Sequence, residues 1–342
     1  MPTDIVIDMG SKKTVLYSNN RVLLMQPSVV TVDADTGEPL YFGDKAFLTV
    51  GRTPDTLTPV FPIAHGVIAD YDIAESMLKT YMEKVFGNRV VKPRAIITLP
   101  SGLTEMQHHS VSDLAESAGG RNASTIESSL ACALAVGIDF KKPQGAMIID
   151  IGAGVTDVAT ISMGGISQCS NINIAGNDFD QSIVKYVKRK YKILIGTATA
   201  EKIKIAIGSA TRHEFEIALT AKGRHISSGL PTTFEMTSLE IYDAIKDQLS
   251  EIFNGIKKVL QNTPPDIVGD IMNTGIYLTG GSAKLRGLDE YLQRALGTKV
   301  IVPEKPELTA VKGAALALKQ PGLLKNNDFF YRSVQKLKID LE

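Results

Sequence analysis

A turn is predicted at Asp8-Met9-Gly10-Ser11-Lys12-Lys13-Thr14, directly after the apolar run Ile5-Val6-Ile7. The same pattern returns much later as Asp150-Ile151-Gly152-Ala153-Gly154-Val155-Thr156, after Met147-Ile148-Ile149. A glycine-containing hairpin lets backbone N–H groups approach an anion closely, and an aspartate at a strand end can hold a magnesium ion. Two copies of Asp-x-Gly-x-x-x-Thr therefore predict two related domains that face one phosphate-bearing ligand.

Composition narrows the class of protein further. The chain has 342 residues, of which 44% are hydrophobic, and this is enough for more than one domain. The 37 basic residues balance the 37 acidic ones, which argues against nucleic acid as a partner because phosphate backbones need a basic surface. A net charge near zero also permits self-association.

The compartment follows from cysteine usage and hydropathy. Cys132 and Cys169 have no spacing typical of a zinc site or a disulfide framework, so we expect a reducing cytoplasm. We expect neither a signal peptide nor a membrane-spanning segment, since the chain has no sufficiently long apolar run.

Strands alternate with helices in both halves of the sequence, which favours an α/β fold. Apolar residues at helical spacing predict a helix over 70–86, and Thr104 with Gln107 resembles a capping box at the start of the next helix. The same reasoning predicts one helix over Ile126–Val136 and a long helix over Thr237–Leu260.

Two further elements suit a nucleotide. Thr279-Gly280-Gly281-Ser282 ends a predicted strand, where the absence of side chains lets a sugar or α-phosphate approach the backbone. Glu201 and Lys204 lie three positions apart and share one helix face. The sequence contains neither Gly-x-x-x-x-Gly-Lys-Ser/Thr nor Gly-x-Gly-x-x-Gly, so P-loop and Rossmann folds are excluded.

In this order, these elements resemble MreB, the bacterial actin, within the superfamily of actin, heat-shock chaperones and sugar kinases. The resemblance covers nearly the whole chain. It is also carried by Gly66-Val67-Ile68-Ala69-Asp70-Tyr71, Pro93-Arg94-Ala95, Ile174-Ala175-Gly176, Val184-Lys185-Tyr186-Val187, Thr199-Ala200-Glu201-Lys202, and Leu308-Thr309-Ala310-Val311-Lys312-Gly313-Ala314.

The resemblance implies an actin-like fold, with two related RNase H-like domains around a nucleotide cleft and a small subdomain inserted into each. By this comparison the first core domain comprises residues 1–32, 67–144 and 315–342, and its inserted subdomain comprises 33–66. The second core domain comprises 145–181 and 245–314, and its inserted subdomain comprises 182–244.

The resemblance also implies that ATP or ADP binds with Mg²⁺ between the two domains. Asp8 and Asp150 would hold the hydrated magnesium ion. The phosphates would contact Gly10, Ser11, Lys12, Lys13 and Thr14 in the first turn and Gly152, Ala153, Gly154, Val155 and Thr156 in the second. The nucleoside side would be lined by Glu201, Lys202, Lys204, Gly280, Gly281, Ser282 and Ala283. The alternative for Lys12 and Lys13 is that one or both point to solvent.

The chain departs from its family where the attacking water is positioned. MreB proteins typically carry Ile-Glu-Glu-Pro where this chain has Ile126-Glu127-Ser128-Ser129, and Gly-Gly-Gly-Thr-Thr in the second turn, which here has Val155 at the first Thr. Ser128 is neutral and short, and Val155 has no hydroxyl. Losing a positioned acid–base group typically costs about 10²–10⁴ in rate, which predicts slow ATP hydrolysis. The alternative is that Glu127 or a shifted helix holds the water.

Such substitutions are similar to those of divergent MreB paralogues from wall-less, helical swimming bacteria, which implies a role in cell shape or helicity-driven motility. By resemblance we expect a cytoplasmic, cytoskeletal homopolymer with head-to-tail contacts, which do not close into a ring. Co-assembly with other MreB paralogues is a further hypothesis. So is weak contact with the inner face of the cell membrane through Arg89, Val90, Val91 and Lys92, although an ordinary loop before a buried strand is the alternative.

Two other functions of the superfamily remain open from sequence. A small-metabolite kinase needs a pocket for its second substrate and usually an aspartate base. The module at 33–66 is too small to frame that pocket, and no candidate base stands out. A chaperone-type ATPase carries a further peptide-binding domain, which we do not expect in a chain of this length.

Overall fold

The structure is a computed structural model that describes residues 4–87, 91–212, 216–319 and 332–333. The strands are β1 (Asp4–Met9), β2 (Lys13–Ser18), β3 (Arg21–Pro27), β4 (Val30–Asp33), β5 (Pro39–Phe42), β6 (Leu57–Val60), β7 (Ile63–Ala64), β8 (Val67–Ile68), β9 (Arg94–Leu99), β10 (Arg121–Glu127), β11 (Ala146–Ile151), β12 (Thr156–Ser162), β13 (Gly165–Ile172), β14 (Ile193–Leu194), β15 (Ala218–His225), β16 (Pro231–Thr237), β17 (Ile276–Thr279), β18 (Val300–Ile301) and β19 (Arg332–Ser333). The helices are α1 (Asp44–Phe47), α2 (Tyr71–Phe86), α3 (Glu105–Ser117), α4 (Ser128–Ala135), α5 (Gly176–Tyr191), α6 (Thr197–Ile207), α7 (Ser238–Asn262), α8 (Pro265–Thr274), α9 (Leu288–Leu296) and α10 (Thr309–Lys319), with 3₁₀ turns at Gly281–Lys284 and Pro306–Leu308.

Two large sheets repeat one topology. The first has the order β19-β10-β9-β1-β2-β3 and the second the order β13-β12-β11-β17-β18. In each sheet a central strand pairs antiparallel with the next strand along the chain and parallel with a strand from further along. The repeated Asp-x-Gly sequences connect β1 to β2 and β11 to β12, so the sequence repeat corresponds to a repeat of architecture.

The two Asp-x-Gly turns close in the same way. The N–H of Gly10 donates to the carbonyl of Lys13 at 3.1 Å, and the N–H of Gly152 donates to the carbonyl of Val155 at 3.0 Å. A Cβ atom would lie only 3.0 Å from the acceptor oxygen at position 10 and 3.2 Å from it at position 152. A side chain at either position would therefore force the turn to shift by a few tenths of an ångström.

The helices pack on the sheets through apolar residues that recur at helical spacing. Met77 and Leu78 of α2 are fully buried and pack against β1, β9 and α3 residues in the core of the first large sheet, which confirms the predicted helix. The Asp70 carboxylate accepts the N–H of Ile73 and caps the helix at its start. The predicted capping box at Thr104 is also present at the start of α3.

The helix predicted over Ile126–Val136 is present as α4 from Ser128 to Ala135, whereas the first two predicted residues, Ile126 and Glu127, belong to the end of β10. Since β10 lies between β9 and β19, its polar sequence is held in a strand by pairing on both sides. The helix α8 follows Pro264 and was not predicted, although the long helix before it, α7, was.

Smaller elements lie beside the large sheets. β4, β5 and β6 form one three-stranded sheet, β14, β15 and β16 form another, and β7 pairs with β8 in a short hairpin. None of the helices within the described ranges is long and apolar enough to cross a membrane.

Candidate functional site

The two repeated aspartates occupy equivalent places in the two sheets. Asp8 lies beside Thr98 of β9, and Asp150 lies beside Thr279 of β17, in the same parallel register. The Thr98 hydroxyl donates to Asp8 Oδ1 at 2.9 Å, while Thr279 interacts with the Asp150 carboxyl and its hydroxyl also donates to Cys132 Sγ at 3.5 Å. Each sheet thus presents one carboxylate, oriented by a threonine, at the end of its central strand.

Both carboxylates belong to partly buried residues. Burial raises the pKa of Asp8 to about 6. Burial also raises the pKa of Asp150 to about 7, with smaller contributions from the negative charges of Asp157 and Asp8. The ion pairs found among the described residues include neither Asp8 nor Asp150. The pair of carboxylates is therefore electrostatically suited to a cation.

The two Asp-x-Gly turns face each other. A Cβ atom on Gly154 would lie 2.4 Å from Ser11 Oγ, so the second turn touches the first where it has no side chain. The short hairpin of β7 and β8 joins them, because His65 Nδ1 lies 2.8 Å from the Gly154 carbonyl oxygen and the Gly66 N–H donates to Ser11 Oγ at 3.4 Å. Sequence reasoning missed His65, since it lies far from both turns along the chain.

The Gly-Gly segment at 280–281 lies against the second turn. The Ser282 hydroxyl donates to the Gly152 carbonyl at 2.7 Å. Gly280 has a φ of +87°, and a Cβ atom there would lie 2.4 Å from Asp150 Oδ1. The first residue of α5, Gly176, donates its N–H to the same Gly152 carbonyl at 3.2 Å. The structure therefore brings Gly152, Gly176, Gly280 and Ser282 of the second half together.

Charged residues lie beside this group. Lys204 Nζ lies 2.7 Å from Asp180 Oδ1 and donates to the Gly176 carbonyl at 2.7 Å. Lys12 Nζ lies 2.7 Å from Glu201 Oε2 and 3.7 Å from Asp180 Oδ2. Asp180 was missed from sequence, although it lies one turn into the helix that starts at Gly176 and could have been recognised by its spacing from that glycine.

Other predicted site residues have different surroundings. Thr14 and Thr156 are fully buried, and their hydroxyls bond to Ser28 Oγ and to the Ile174 carbonyl. Both threonines therefore stabilise the hairpins from inside and do not present their hydroxyls to the cleft. Lys13, Lys202 and Gly281 are exposed, whereas Ala283 is buried. In the predicted membrane loop, Arg89 and Val90 lie outside the described residues, while Val91 is 71% exposed.

The predicted water-positioning region lies at the junction of β10 and α4. Glu127 is the last residue of β10, and its Oε1 accepts the Gly102 N–H at 3.2 Å. Ser128 begins α4 and is 9% exposed. Glu127 precedes α4 at its N-cap position, so it and Ser128 are not neighbours within one helix. Val155 lies next to Gly66, with 3.1 Å between its Cγ1 and a Cβ atom placed on that glycine.

A third acidic residue, Asp157, lies directly across the β11–β12 pair from Asp150. Its Oδ2 accepts the N–H of Ser101 at 3.1 Å and the Ser101 hydroxyl at 2.9 Å, while Oδ1 has no hydrogen-bond partner among the described residues. Burial raises the pKa of Asp157 to about 7, and the Ser101 bonds offset part of this rise. Sequence reasoning missed it because its partner is 56 positions away.

These pKa values predict how stability depends on pH. Since burial places the folded-state pKa of Asp8, Asp150 and Asp157 above their ordinary value of 3.8, the folded state holds more protons than the unfolded state between about pH 4 and pH 7. The free energy of unfolding should fall as pH rises through this range. We expect Asp157→Asn to remove on the order of 2 kcal/mol of that fall in the nucleotide-free protein, measured by urea unfolding.

An exposed carboxylate provides the matched control for this titration. Backbone N–H groups of Thr36 and Asp35 lower the pKa of Asp33, so Asp33→Asn should leave the slope above about pH 5 unchanged. Equal slopes in Asp157→Asn and the unaltered protein would contradict the assignment.

Together, the duplicated sheets, the facing glycine turns and the two carboxylates at the strand ends define a protein of the actin-like class. Comparison with known proteins agrees, because the family model described as MreB/Mbl protein matches residues 2–326. The cell shape-determining protein Mbl of Bacillus subtilis is 39% identical over 305 residues, covering 89% of this chain and 92% of the relative. The cell shape-determining protein MreB of Escherichia coli K12 is 36% identical over 322 residues, covering 92% and 93%. The chain belongs to the MreB/Mbl family.

Solved structures show the same likeness. MreB5 of Spiroplasma citri bound to ADP superposes with a TM-score of 0.89 at 32% identity, covering 94% of this chain and 98% of that one. The AMPPNP-bound form of the same protein gives a TM-score of 0.88. A MamK double helical filament gives 0.76 at 19% identity, over 92% and 99% of the two chains, and shares the fold. The prediction of an actin-like fold is confirmed.

Proposed function

We propose that this chain is an ATP-binding cytoskeletal protein that polymerises head to tail, governs cell shape or helicity, and hydrolyses ATP slowly. The observation that carries the proposal is the contact between the two turns, with Ser11 against Gly154 and with Asp8 and Asp150 at the strand ends behind them. The relatives named above as cell shape-determining proteins, and the MreB5 structures with ADP and AMPPNP, support the same function.

The residues of the cleft fit a nucleotide and its metal ion. At positions 152, 154 and 280 a Cβ atom would lie between 2.3 and 3.2 Å from a neighbouring protein atom, so these segments approach each other closely because none of the three positions carries a side chain. No group of three or more metal-ligating side chains occurs among the described residues. Two carboxylates alone suit Mg²⁺, which keeps several waters and takes its other ligands from phosphates. Asp8 and Asp150 would hold this ion, which would neutralise phosphate charge.

The proposed slow hydrolysis rests on what surrounds the predicted position of the attacking water. Phosphoryl transfer depends mainly on positioning and electrostatics. Ser128 and Val155 supply neither a carboxylate nor a second hydroxyl acceptor there. Glu127 bonds to the Gly102 N–H, which occupies one of its oxygens. We therefore propose that ATP is retained for long periods after binding.

The proposed polymer is supported by exposed apolar side chains on the two small modules. In the module at 33–66 these are Leu40, Tyr41, Leu48 and Phe61, and in the module at 182–244 they are Ile205, Ile217, Ile226 and Leu230. These side chains would be buried if the two modules form the contacts between subunits. We also keep as proposals the domain boundaries given above, co-assembly with other paralogues, and weak membrane contact near the exposed Val91 and Lys92.

A sedimentation assay tests the proposed function. The purified protein is incubated with Mg²⁺ and ATP, ADP or no nucleotide, pelleted, and viewed by electron microscopy, while phosphate release is recorded in parallel with the MreB of Escherichia coli. We expect filaments with ATP and slower phosphate release than in the comparison protein. A discrete monomer that transfers phosphate to a small metabolite would instead support a kinase.

A further inference from the structure

An ion pair joins the two halves of the molecule at the nucleotide cleft. Lys12 belongs to the first turn, on the β1–β2 hairpin, whereas Glu201 and Asp180 belong to α6 and α5, which pack in the core of the second large sheet. Lys12 Nζ lies 2.7 Å from Glu201 Oε2 and 3.7 Å from Asp180 Oδ2. All three residues line one cavity of about 220 Å³ between the halves.

The charges of this cluster balance in pairs. Asp180, with 4% of its side chain exposed, already has Lys204 at 2.7 Å on its other oxygen. Burial raises the pKa of Asp180, and the ammonium groups of Lys204 and Lys12 offset part of this rise. Lys12 therefore serves mainly to neutralise Glu201, and the two side chains keep 28% and 23% of their surface in contact with solvent. A pair that is partly solvated can exchange partners more readily than a buried one.

A bound nucleotide would need both members of this pair. Ser11, the neighbour of Lys12, lies at the contact between the two phosphate turns, so Lys12 is the adjacent cation for a polyphosphate. Glu201 lies on the predicted nucleoside side. While Lys12 bonds to Glu201, the ammonium group and that carboxylate are engaged with each other. Nucleotide binding must therefore break the ion pair. Lys12 then contacts the polyphosphate, and Glu201 contacts the nucleoside.

We propose that Lys12 is a partner-exchanging specificity residue, which pairs with Glu201 across the cleft and moves to the polyphosphate when a nucleotide binds. The inference rests on the proposed function, because it assumes that the cleft takes a nucleotide. A triphosphate replaces the lost ion pair with a stronger charge-assisted contact to Lys12. Adenosine also breaks the pair, but it has no phosphate with which Lys12 could form a new one. Lys12 therefore discriminates against ligands that lack the terminal phosphates.

Equilibrium binding of ATP and of adenosine, measured by calorimetry with the full chain, tests this exchange. In Lys12→Ala we expect ATP to bind about tenfold or more weakly, because a charge-assisted bond is lost. We expect adenosine to bind up to about fivefold more tightly, because the partly exposed competing pair is gone. Opposite changes for the two ligands are the signature of exchange.

Controls separate the alternatives. Lys12→Met keeps the length of the side chain without its charge and should behave like Lys12→Ala. Lys12→Arg keeps the charge, so its preference for ATP over adenosine should match that of the unaltered protein. Lys185→Ala removes an exposed lysine of the same helix as Asp180 and should change neither affinity. Circular dichroism confirms that each variant is folded.

The outcomes distinguish this inference from the proposed function. If ATP binds more weakly to Lys12→Ala but adenosine is unaffected, Lys12 is an ordinary phosphate ligand and the exchange is overturned. Equal changes for both ligands would overturn it as well. If the unaltered protein binds neither ligand, the proposed function fails, and the inference fails with it.

Discussion

Replacing Ser128 by Glu together with Val155 by Thr should raise the rate of phosphate release by about 10²-fold. The two substitutions restore a carboxylate and a hydroxyl at the places where the family resemblance puts the attacking water. Val155→Thr conserves shape, and Ser128 is the first residue of α4, so the substitution does not interrupt the interior of the helix. The measurement is phosphate release from ATP and Mg²⁺ at saturating nucleotide.

A matched variant isolates the charge in this experiment. Ser128→Gln with Val155→Thr has the same bulk but no carboxylate, so it should remain close to the rate of the unaltered protein. The explanation of slow hydrolysis would be contradicted if the Glu and Gln variants were equally fast. It would also be contradicted if the unaltered protein already matched the MreB of Escherichia coli in the same assay.

Gly313→Ala should destabilise the fold by about 3 kcal/mol or more, since overpacking of a close contact forces the backbone to move. Gly313 lies on α10 where this helix crosses α4, and a Cβ atom there would lie 1.6 Å from the Ala131 carbonyl oxygen. The neighbour is rigid helix backbone, so the two helices must separate. Urea unfolding measures the loss, and a weaker nucleotide affinity should accompany it because α4 begins at Ser128.

A second glycine supplies the control for this substitution. Gly269 is exposed in the interior of α8, and no atom lies within 4 Å of a Cβ placed there. Because alanine favours the helix more than glycine does, Gly269→Ala should stabilise the protein by about 0.5–1 kcal/mol. A Gly313→Ala protein as stable as this control would show that the α4–α10 contact is looser than described.

Sequence reasoning succeeded where the signal was local. The Asp-x-Gly turns, the α2 periodicity and the Thr104 capping box depend on residues within a few positions of each other, and these features are present in the structure. The strand β10 was missed because its sequence, Arg121 to Glu127, has little apolar alternation and is stabilised by pairing with β9 and β19.

The parts of the site that sequence did not reveal are contacts across long separations. His65 meets Gly154, and Lys12 meets Glu201, only because the two halves of the chain face each other. The prediction that Lys12 contacts phosphate therefore did not include Glu201, whose carboxylate competes with phosphate for the same ammonium group. Likewise, Thr14 and Thr156 were predicted to contact phosphates. Their hydroxyls bond instead to Ser28 Oγ and the Ile174 carbonyl, which lie far from them along the chain.

The most direct test of the central claim is an experimental structure of the chain with Mg²⁺ and a nonhydrolysable ATP analogue. The two facing turns are expected to enclose the polyphosphate between Ser11 and Gly154, with the metal ion on the side of Asp8 and Asp150. A structure in which the analogue binds away from these turns, or in which saturating analogue leaves the space between them without density, would contradict the account.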